Sequence, residues 1–200
     1  PISWDEALAL LAPIMDALEM AHAQGIVHRD LKPDNVFLKN GPQGPEPVLL
    51  DFGMAKLLDV RQVTTNSSAV FGTPHYMAPE QALGSNKAGP GADVWSVGVM
   101  LFECLSGQLP FGRGPAAAYL ARVVYEQAPS LAEQAPELPP ALTSVVDRAL
   151  LRDPAARFET MADLLAAVRS AALSLGVVLS DPRSGLSLVV KRPEPKKRNA

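Results

Sequence analysis

The sequence predicts a mainly α-helical fold with one small β-hairpin. Apolar residues recur at helical spacing near the start of the chain, and residues 92–106 are apolar on nearly every side, as in a helix buried at the centre of a domain. Two short β-type segments lie between these stretches. With 200 residues, of which 48% are hydrophobic and 20% charged, the chain can bury one core and has an ordinary globular composition.

The first predicted helix begins at a capping box and ends near Gly25. Ser3 and Glu6 have the spacing at which their side chains satisfy backbone N–H groups at a helix start. The residues that follow at helical spacing are Leu8, Leu11, Met15, Leu18 and His22. Pro13 removes one helical hydrogen bond, so it predicts either a kink or a later start of the helix.

The predicted hairpin joins residues 35–38 to residues 48–50. The connecting residues 39–47 are rich in glycine and proline, which predicts an elongated loop rather than an inner strand. Residues 54–72 show no sustained period and are rich in Thr, Ser and Asn, so we expect a long surface loop, a type that is uncommon unless it is functional.

The rest of the chain predicts further helices. Gly107 is suited to end the central helix. Three more helical stretches follow at about 115–126, 140–151 and 160–173, and Thr160 and Asp163 form a second capping pair.

Charge and composition exclude several classes of protein. The net charge is −3 although the last ten residues are strongly basic, so the body of the chain is acidic and lacks a nucleic-acid-binding footprint. The basic tail predicts a solvated terminus, with attraction to an anionic membrane as the alternative. The apolar run of residues 94–102 is far shorter than the roughly 20 residues of a bilayer span, so no membrane span is expected. The single cysteine, Cys104, forms no internal disulfide, which fits a cytoplasmic location.

Three short motifs carry the functional signal. The string His28-Arg29-Asp30-Leu31-Lys32-Pro33-Asp34-Asn35 follows the first helix, Asp51-Phe52-Gly53 follows the second strand, and Ala78-Pro79-Glu80 closes the long loop. Each triplet alone is usually a turn or a surface cluster. Together, in this order, they resemble the eukaryotic-like (Hanks-type) bacterial serine/threonine protein kinases.

The resemblance implies a division of the chain. Residues 1–175 are similar to the C-terminal lobe of the kinase catalytic domain, whose complete fold is α+β with two lobes. Within it lie a catalytic loop (28–35), the Asp-Phe-Gly motif (51–53), an activation loop (54–77), the Ala-Pro-Glu motif (78–80) and the central helix (92–106). Residues 176–200 are expected to form a flexible basic tail.

The resemblance also assigns roles to four residues. Asp30 corresponds to the catalytic base that accepts the proton of the substrate hydroxyl, and Lys32 to the cation on the transferred phosphate. Asn35 and Asp51 correspond to the oxygen ligands of Mg²⁺. The implied catalytic residues are therefore Asp30, Lys32 and Asn35, and Lys32, Asn35 and Asp51 bind the cofactors, ATP and Mg²⁺, with Mn²⁺ as an alternative metal.

Substrate class follows from the same resemblance. A lysine two places after the aspartate, here Lys32, is typical of the serine/threonine branch. Thr73 matches the threonine that bridges the catalytic Asp and Lys in that branch. The implied enzyme is a transferase, a non-specific serine/threonine protein kinase acting on hydroxyls of proteins.

Regulation is implied by Arg29. An arginine directly before the catalytic aspartate is the mark of kinases whose activation loop is ordered by phosphorylation, because phosphate pairs strongly with arginine. Thr64, Thr65, Ser67 and Ser68 are candidate acceptors, and we favour Thr64 and Thr65 because similar residues occur in bacterial relatives. The alternative is a flexible polar loop without a switch.

Two further positions, Asp93 and Arg157, are structural in the family. Asp93 resembles the residue that holds the catalytic-loop backbone from the central helix. Arg157 resembles the partner of Glu80 in a buried ion pair. His22 and His75 lack a second ligand at metal spacing, so we expect packing or surface roles for them.

The glycine-rich loop and strand lysine of a whole kinase are absent from the sequence. We therefore expect the N-terminal lobe to be missing, the apolar surface facing it to be exposed, and this chain alone to transfer little or no phosphate. The parent could be membrane-anchored. The alternative is a truncated scaffold that binds kinase partners or substrates without catalysis, although such a scaffold has no need for Asp30, Lys32, Asn35 and Asp51. An in-frame glycine-rich loop encoded upstream would favour the enzyme.

Overall fold

The computed structural model describes residues 1–41, 44–50, 74–84 and 88–179. In this part of the chain the helices are α1 (Trp4–His22), α2 (Pro79–Ala82), α3 (Pro90–Ser106), α4 (Ala116–Tyr125), α5 (Leu131–Gln134), α6 (Pro140–Ala149) and α7 (Met161–Ser174). Two strands, β1 (Val36–Gly41) and β2 (Gly44–Leu49), form one antiparallel sheet. Short 3₁₀ turns cover Pro33–Asn35, Pro74–Tyr76 and Pro154–Ala156. The mainly helical fold with one hairpin is confirmed.

Helix α1 starts where the capping residues predict. The Glu6 carboxylate accepts hydrogen bonds from both the backbone N–H and the hydroxyl of Ser3, at 3.3 and 2.7 Å. Pro13 lies inside the helix without ending it, so the predicted later start is wrong. Leu8 and Leu18 are among the fully buried residues of α1, as the helical spacing predicted.

Both strands extend further toward the turn than predicted, and β2 includes Pro45 and Pro47. The predicted elongated loop is therefore wrong, and only residues 42 and 43 connect the strands. Leu50 donates its N–H to the Asn35 carbonyl at 2.8 Å, which places Pro45 and Pro47 opposite their partners at the alternate, non-hydrogen-bonded positions. A proline costs no ladder hydrogen bond there, since the N–H it lacks would point away from the partner strand.

Helix α3 is the centre of the core. Twelve of its 17 residues are buried, and it packs against α1, α5, α6 and α7. Gly98 allows the close approach of α6, because a Cβ there would lie 3.0 Å from the Ala149 Cβ. The helix ends at Gly107, whose φ of 74° is the left-handed conformation that glycine adopts readily.

The remaining helices close around α3. Thr160 caps α7 by accepting the N–H of Asp163 at 3.0 Å, and the Asp163 carboxylate accepts the Thr160 N–H in return. Helix α7 lies on α1, where Arg169 forms a 2.9 Å ion pair with Asp16. The sequence analysis missed the two four-residue helices, α2 and α5, which are too short to show a periodic apolar pattern.

The chain continues past α7 along α1. Val177 and Leu179, which the sequence analysis assigned to the tail, are partly buried and pack against the core. Residues 180–200 lie outside the described part of the chain. Among the described residues, no helix is both long and apolar enough to cross a membrane.

Candidate active site

The candidate catalytic loop, residues 28–35, is held by the start of α3. Asp93 is fully buried and lies in the first turn of that helix. Its two carboxylate oxygens accept the backbone N–H groups of His28 and Arg29, each at 2.9 Å. The predicted role of Asp93 in holding this loop is confirmed.

His22, at the end of α1, completes the surroundings of that carboxylate. Its Nε2 lies 2.8 Å from Asp93 Oδ2, and its side chain is almost fully buried. Helix α1, through His22, and the loop therefore both contact the Asp93 carboxylate of α3. Within the described ranges no group of three or more His, Cys, Asp or Glu residues could hold a metal.

Arg29 adopts a backbone conformation that is rare for residues other than glycine. Its φ is 63°, and a left-handed conformation costs roughly 1–2 kcal/mol for an L-residue. The bond from its N–H to Asp93 offsets this cost, and its carbonyl accepts a 2.8 Å hydrogen bond from Gln81 Nε2. The strained turn directly precedes Asp30, so it sets the direction in which the chain presents that residue.

The His28 ring lies under the loop. The ring is buried, and its Nδ1 accepts the backbone N–H of Asp30 at 3.3 Å. Because Nδ1 is the acceptor, Nε2 carries the proton and donates to the Leu50 carbonyl at 3.2 Å. One side chain thus joins the backbone of Asp30 to the end of the hairpin.

Three of the predicted site residues come together on this loop. Asn35 donates its side-chain amide to the Asp30 carbonyl at 2.6 Å. Lys32 Nζ lies 3.4 Å from the Asp30 carboxylate. The side chains of Lys32 and Asp30 are 16% and 26% exposed, so a carboxylate, an ammonium and an amide are gathered at a site that solvent still reaches.

The other predicted site residues cannot be placed. Asp51, Thr64, Thr65 and Thr73 lie outside the described residues, as do the Asp-Phe-Gly motif and most of the predicted activation loop. The structure therefore describes Asp30, Lys32, Asn35 and Arg29 from the predicted set.

Helix α2 is fixed to the helical body by a buried ion pair. Arg157 binds the Glu80 carboxylate through two nitrogen–oxygen contacts of 2.9 Å, and its side chain is completely buried. It also donates to the carbonyls of Gly91, Leu151 and Arg152. The predicted pairing of Arg157 with Glu80 is confirmed, and the pair sets the position of the helix that carries Gln81.

The segment just before α2 is bonded to α3 and α4. Ser96 donates to the Tyr76 carbonyl at 2.8 Å, and Tyr119 donates to the His75 carbonyl at 2.6 Å. The Tyr76 hydroxyl donates to Glu103. Burial, followed by the bond to Glu103, raises the pKa of Tyr76 far above its usual 10.0, so this hydroxyl remains a donor at all ordinary pH values.

Comparison with known proteins agrees with this geometry. The protein kinase domain model matches residues 1–167. The chain belongs to the protein kinase domain family. Serine/threonine-protein kinase Pkn1 of Myxococcus xanthus is 42% identical over 164 residues, which are 81% of this chain and 23% of the relative. Serine/threonine-protein kinase PknA of Mycobacterium tuberculosis is 40% identical over 172 residues, which are 84% of this chain and 38% of the relative.

A third relative gives the same result. The probable serine/threonine-protein kinase PknB of Lactococcus lactis is 39% identical over 165 residues, or 82% of this chain and 26% of the relative. This kinase-family chain therefore spans between about a quarter and two fifths of the length of these curated relatives.

Sequence reasoning missed Gln81 and the contacts of Tyr76. The sequence carried part of the signal for Gln81, since a glutamine at the third position of a helix is the capping-box residue. Its second contact, to Arg29, joins residues 52 positions apart and shows no local pattern. The Tyr76–Glu103 bond likewise depends on how the segment crosses α3.

Proposed function

We propose that this chain is the catalytic-loop lobe of a serine/threonine protein kinase that transfers phosphate from ATP to protein hydroxyls. The observation that carries the proposal is the group of Asp30, Lys32 and Asn35 on one rigidly held loop, with Lys32 at 3.4 Å and Asn35 at 2.6 Å from atoms of Asp30. Phosphoryl transfer requires mainly an oriented hydroxyl and fixed positive charge, and this group has side chains for both.

Asp30 acts as the base in this proposal. Its carboxylate accepts the proton of a serine or threonine hydroxyl and orients that oxygen toward the phosphorus atom. Lys32 keeps a positive charge beside the carboxylate and stabilises the negative charge that develops on the transferred group. The hydrogen bonds around Asp30 hold the base in place before substrate binds, so little reorganisation is needed during the reaction.

The residues present fit Mg²⁺ and ATP. Asn35 uses its NH₂ group for the bond to Asp30, so its remaining amide atom is the carbonyl oxygen, which is the hard ligand that Mg²⁺ prefers. Asn35 and Asp51 would hold the metal, and Lys32 would bind the phosphates beside it. When bound, ATP supplies the phosphoryl group and Mg²⁺, or Mn²⁺ in its place, neutralises phosphate charge.

Arg29 supports a regulatory part of the proposal. Its Nε atom is buried and has no hydrogen-bond partner within the described residues. A buried guanidinium nitrogen of this kind fits a phosphate, which pairs strongly with arginine. We propose that phosphorylation of Thr64 or Thr65 supplies that phosphate and that Thr73 contributes to the ordered state.

The hairpin supports the proposal that further residues complete the cleft. Phe37 and Leu38 of β1 and Leu50, directly after β2, are large apolar residues that are 57%, 48% and 40% exposed. Exposed apolar surface of this kind fits a covering partner. We propose that a sheet lobe with a glycine-rich loop and a lysine covers it, and that the chain without this lobe transfers little phosphate.

A fusion experiment tests this function. The N-terminal lobe of Pkn1 from Myxococcus xanthus is joined to residues 1–200, and transfer of labelled phosphate from ATP to a mixed-sequence protein substrate is measured with Mg²⁺. We expect transfer to serine and threonine by the fusion, little by the unfused chain, and a loss of at least about a hundredfold in Asp30→Asn, which removes the base.

The matched control is Asp153→Asn, which makes the same change at the exposed N-cap of the 3₁₀ turn Pro154–Ala156, away from the catalytic loop, where asparagine caps as well as aspartate. Folding of each variant is checked by circular dichroism. A folded fusion that is inactive, or that remains equally active in Asp30→Asn, contradicts the catalytic assignment. A folded fusion that binds kinase partners or substrates without transfer favours the scaffold alternative.

A further inference from the structure

We propose that Gln81 is a positioning residue that orients Asp30 by holding the carbonyl of Arg29. The proposal rests on the kinase function proposed above, because it concerns the same catalytic loop. It adds a link between that loop and α2, the helix that begins within the Ala-Pro-Glu motif, and neither the sequence pattern nor the comparisons assign this link.

Gln81 uses both ends of its side-chain amide. Its Oε1 accepts the backbone N–H of Ala78 at 3.0 Å, and its Nε2 donates to the Arg29 carbonyl at 2.8 Å. The partners settle the orientation of the amide, since an N–H needs an acceptor and a carbonyl needs a donor. The first bond caps α2, which is an ordinary structural role. The second bond adds nothing to α2 and acts on the catalytic loop.

The bond to Arg29 fixes the peptide group that joins Arg29 to Asp30. The carbonyl of this group is held by Gln81, and its N–H is held by His28 Nδ1 at 3.3 Å. The N–H of Arg29 itself is held by Asp93. A φ of 63° is unfavourable for arginine, so the turn depends on these hydrogen bonds to keep its conformation, and Asp30 is displaced when they are lost.

Gln81 holds this peptide group from a firmly anchored position. Its neighbour Glu80 is bound by the buried Arg157 side chain through two contacts of 2.9 Å. Helix α2 therefore moves little relative to the helical body, and the position of Asp30 depends on where α2 lies.

Two substitutions separate the two roles of Gln81. Gln81→Glu keeps the shape and the oxygen that caps α2, but it places a carboxylate oxygen against the Arg29 carbonyl. Gln81→Ala removes both bonds. Gln134→Glu, at an exposed position of α5, is the matched control because it makes the same substitution away from the catalytic loop.

The first readout is the backbone amide of Asp30 in the 200-residue chain, followed by nuclear magnetic resonance and hydrogen exchange. We expect a changed Asp30 amide shift and exchange at least about tenfold faster in both Gln81 variants, since the peptide group loses its hydrogen bond to Gln81. We expect the melting temperature of Gln81→Glu to remain close to that of Gln134→Glu, because the cap is kept. An Asp30 amide that is unchanged in both Gln81 variants overturns the proposal.

The second readout is the kinetics of the same variants in the Pkn1-lobe fusion. A displaced base lowers the rate of the bound complex and leaves nucleotide binding intact, so we expect kcat about tenfold lower in Gln81→Glu with a nearly unchanged KM for ATP. Equal kcat values in Gln81→Glu and Gln134→Glu overturn the positioning role. If the unmutated fusion is inactive, the proposed function fails, and the Asp30 amide of the chain alone decides the role of Gln81.

Discussion

Asp93 accepts the backbone N–H groups of both His28 and Arg29 at 2.9 Å, so the first turn of the central helix determines the shape of the candidate catalytic loop. The loop residues themselves do not favour this shape, since Arg29 has a positive φ. The loop conformation is imposed by a carboxylate that is 65 residues away from His28 in sequence.

Replacing Asp93 tests this dependence. Asp93→Asn keeps the size of the side chain but turns an NH₂ group toward a buried N–H donor, so we expect a loss of about 3 kcal/mol in the free energy of unfolding. Urea denaturation of the chain measures it. Glu137→Gln, which also removes one negative charge at an exposed position, should change stability by no more than about 0.5 kcal/mol. Equal effects of the two substitutions would show that Asp93 does not hold the loop.

The Glu80–Arg157 pair supports a second prediction. Arg157→Met leaves a carboxylate with its partner removed and three carbonyls without their donor, so we expect destabilisation by about 3–5 kcal/mol. Arg169→Met, in the partly exposed pair with Asp16, should cost about 1 kcal/mol or less. A double-mutant cycle of Arg157→Met with Glu80→Gln measures the coupling, and additive effects would mean that the pair contributes nothing.

His75 makes stability depend on pH. Burial lowers the pKa of His75 below its usual 6.5, and the nearby Arg113 guanidinium lowers it further. The unfolded chain therefore binds this proton at a higher pH than the folded chain. The stability contributed by neutral His75 is fully present above about pH 6.5 and is lost as the pH falls toward the folded pKa.

The His75 ring is followed by nuclear magnetic resonance titration, and urea midpoints are compared at pH 7.5 and 5.5. The stability difference between the unmutated chain and His75→Gln should shrink at the lower pH. Arg113→Gln should raise the pKa of His75, because it removes the positive charge that lowers this pKa in addition to burial. A His75 that titrates at or above 6.5 in the folded chain contradicts this prediction.

Tyr76 gives a prediction at alkaline pH. Burial raises the pKa values of Tyr76 and Tyr119, and hydrogen bonding to Glu103 adds to the effect on Tyr76. Both phenols hold their protons in the folded chain above the pH at which they ionise when unfolded, so stability is lost as the pH rises past about 10. Phenolate absorbance from these residues should appear only as helical circular dichroism disappears. Tyr76→Phe and Tyr119→Phe should each remove one tyrosine from that step, and ionisation before unfolding would contradict the prediction.

The sequence predicted the elements whose pattern is local. The capping pairs at Ser3 and Thr160 and the apolar run of α3 each lie within a few turns of helix, and the helices began close to the predicted residues. The hairpin was predicted too short because proline normally excludes a strand. The non-hydrogen-bonded positions of a two-stranded sheet accept it, and the sequence does not show which positions these are.

In the candidate site, too, the sequence predicted the residues of a local motif and missed a contact that depends on the fold. The contiguous motif predicted Asp30, Lys32 and Asn35, and the resemblance predicted the roles of Asp93 and Arg157. Gln81 was missed because its bond to Arg29 depends on how α2 is folded back onto the loop, which no spacing along the chain encodes.

The proposed function depends most on Asp30 and Asn35 belonging to one site for metal and nucleotide. The most direct measurement adds Mn²⁺ and ATP to the isotope-labelled chain and records the paramagnetic broadening of each resonance. We expect the signals of Asp30, Lys32 and the Asn35 side-chain amide to broaden first, and those of Asp30 and Lys32 to stay sharp in Asn35→Ala. Broadening that spares this loop, or that collects at exposed acids such as Glu137, would contradict the site.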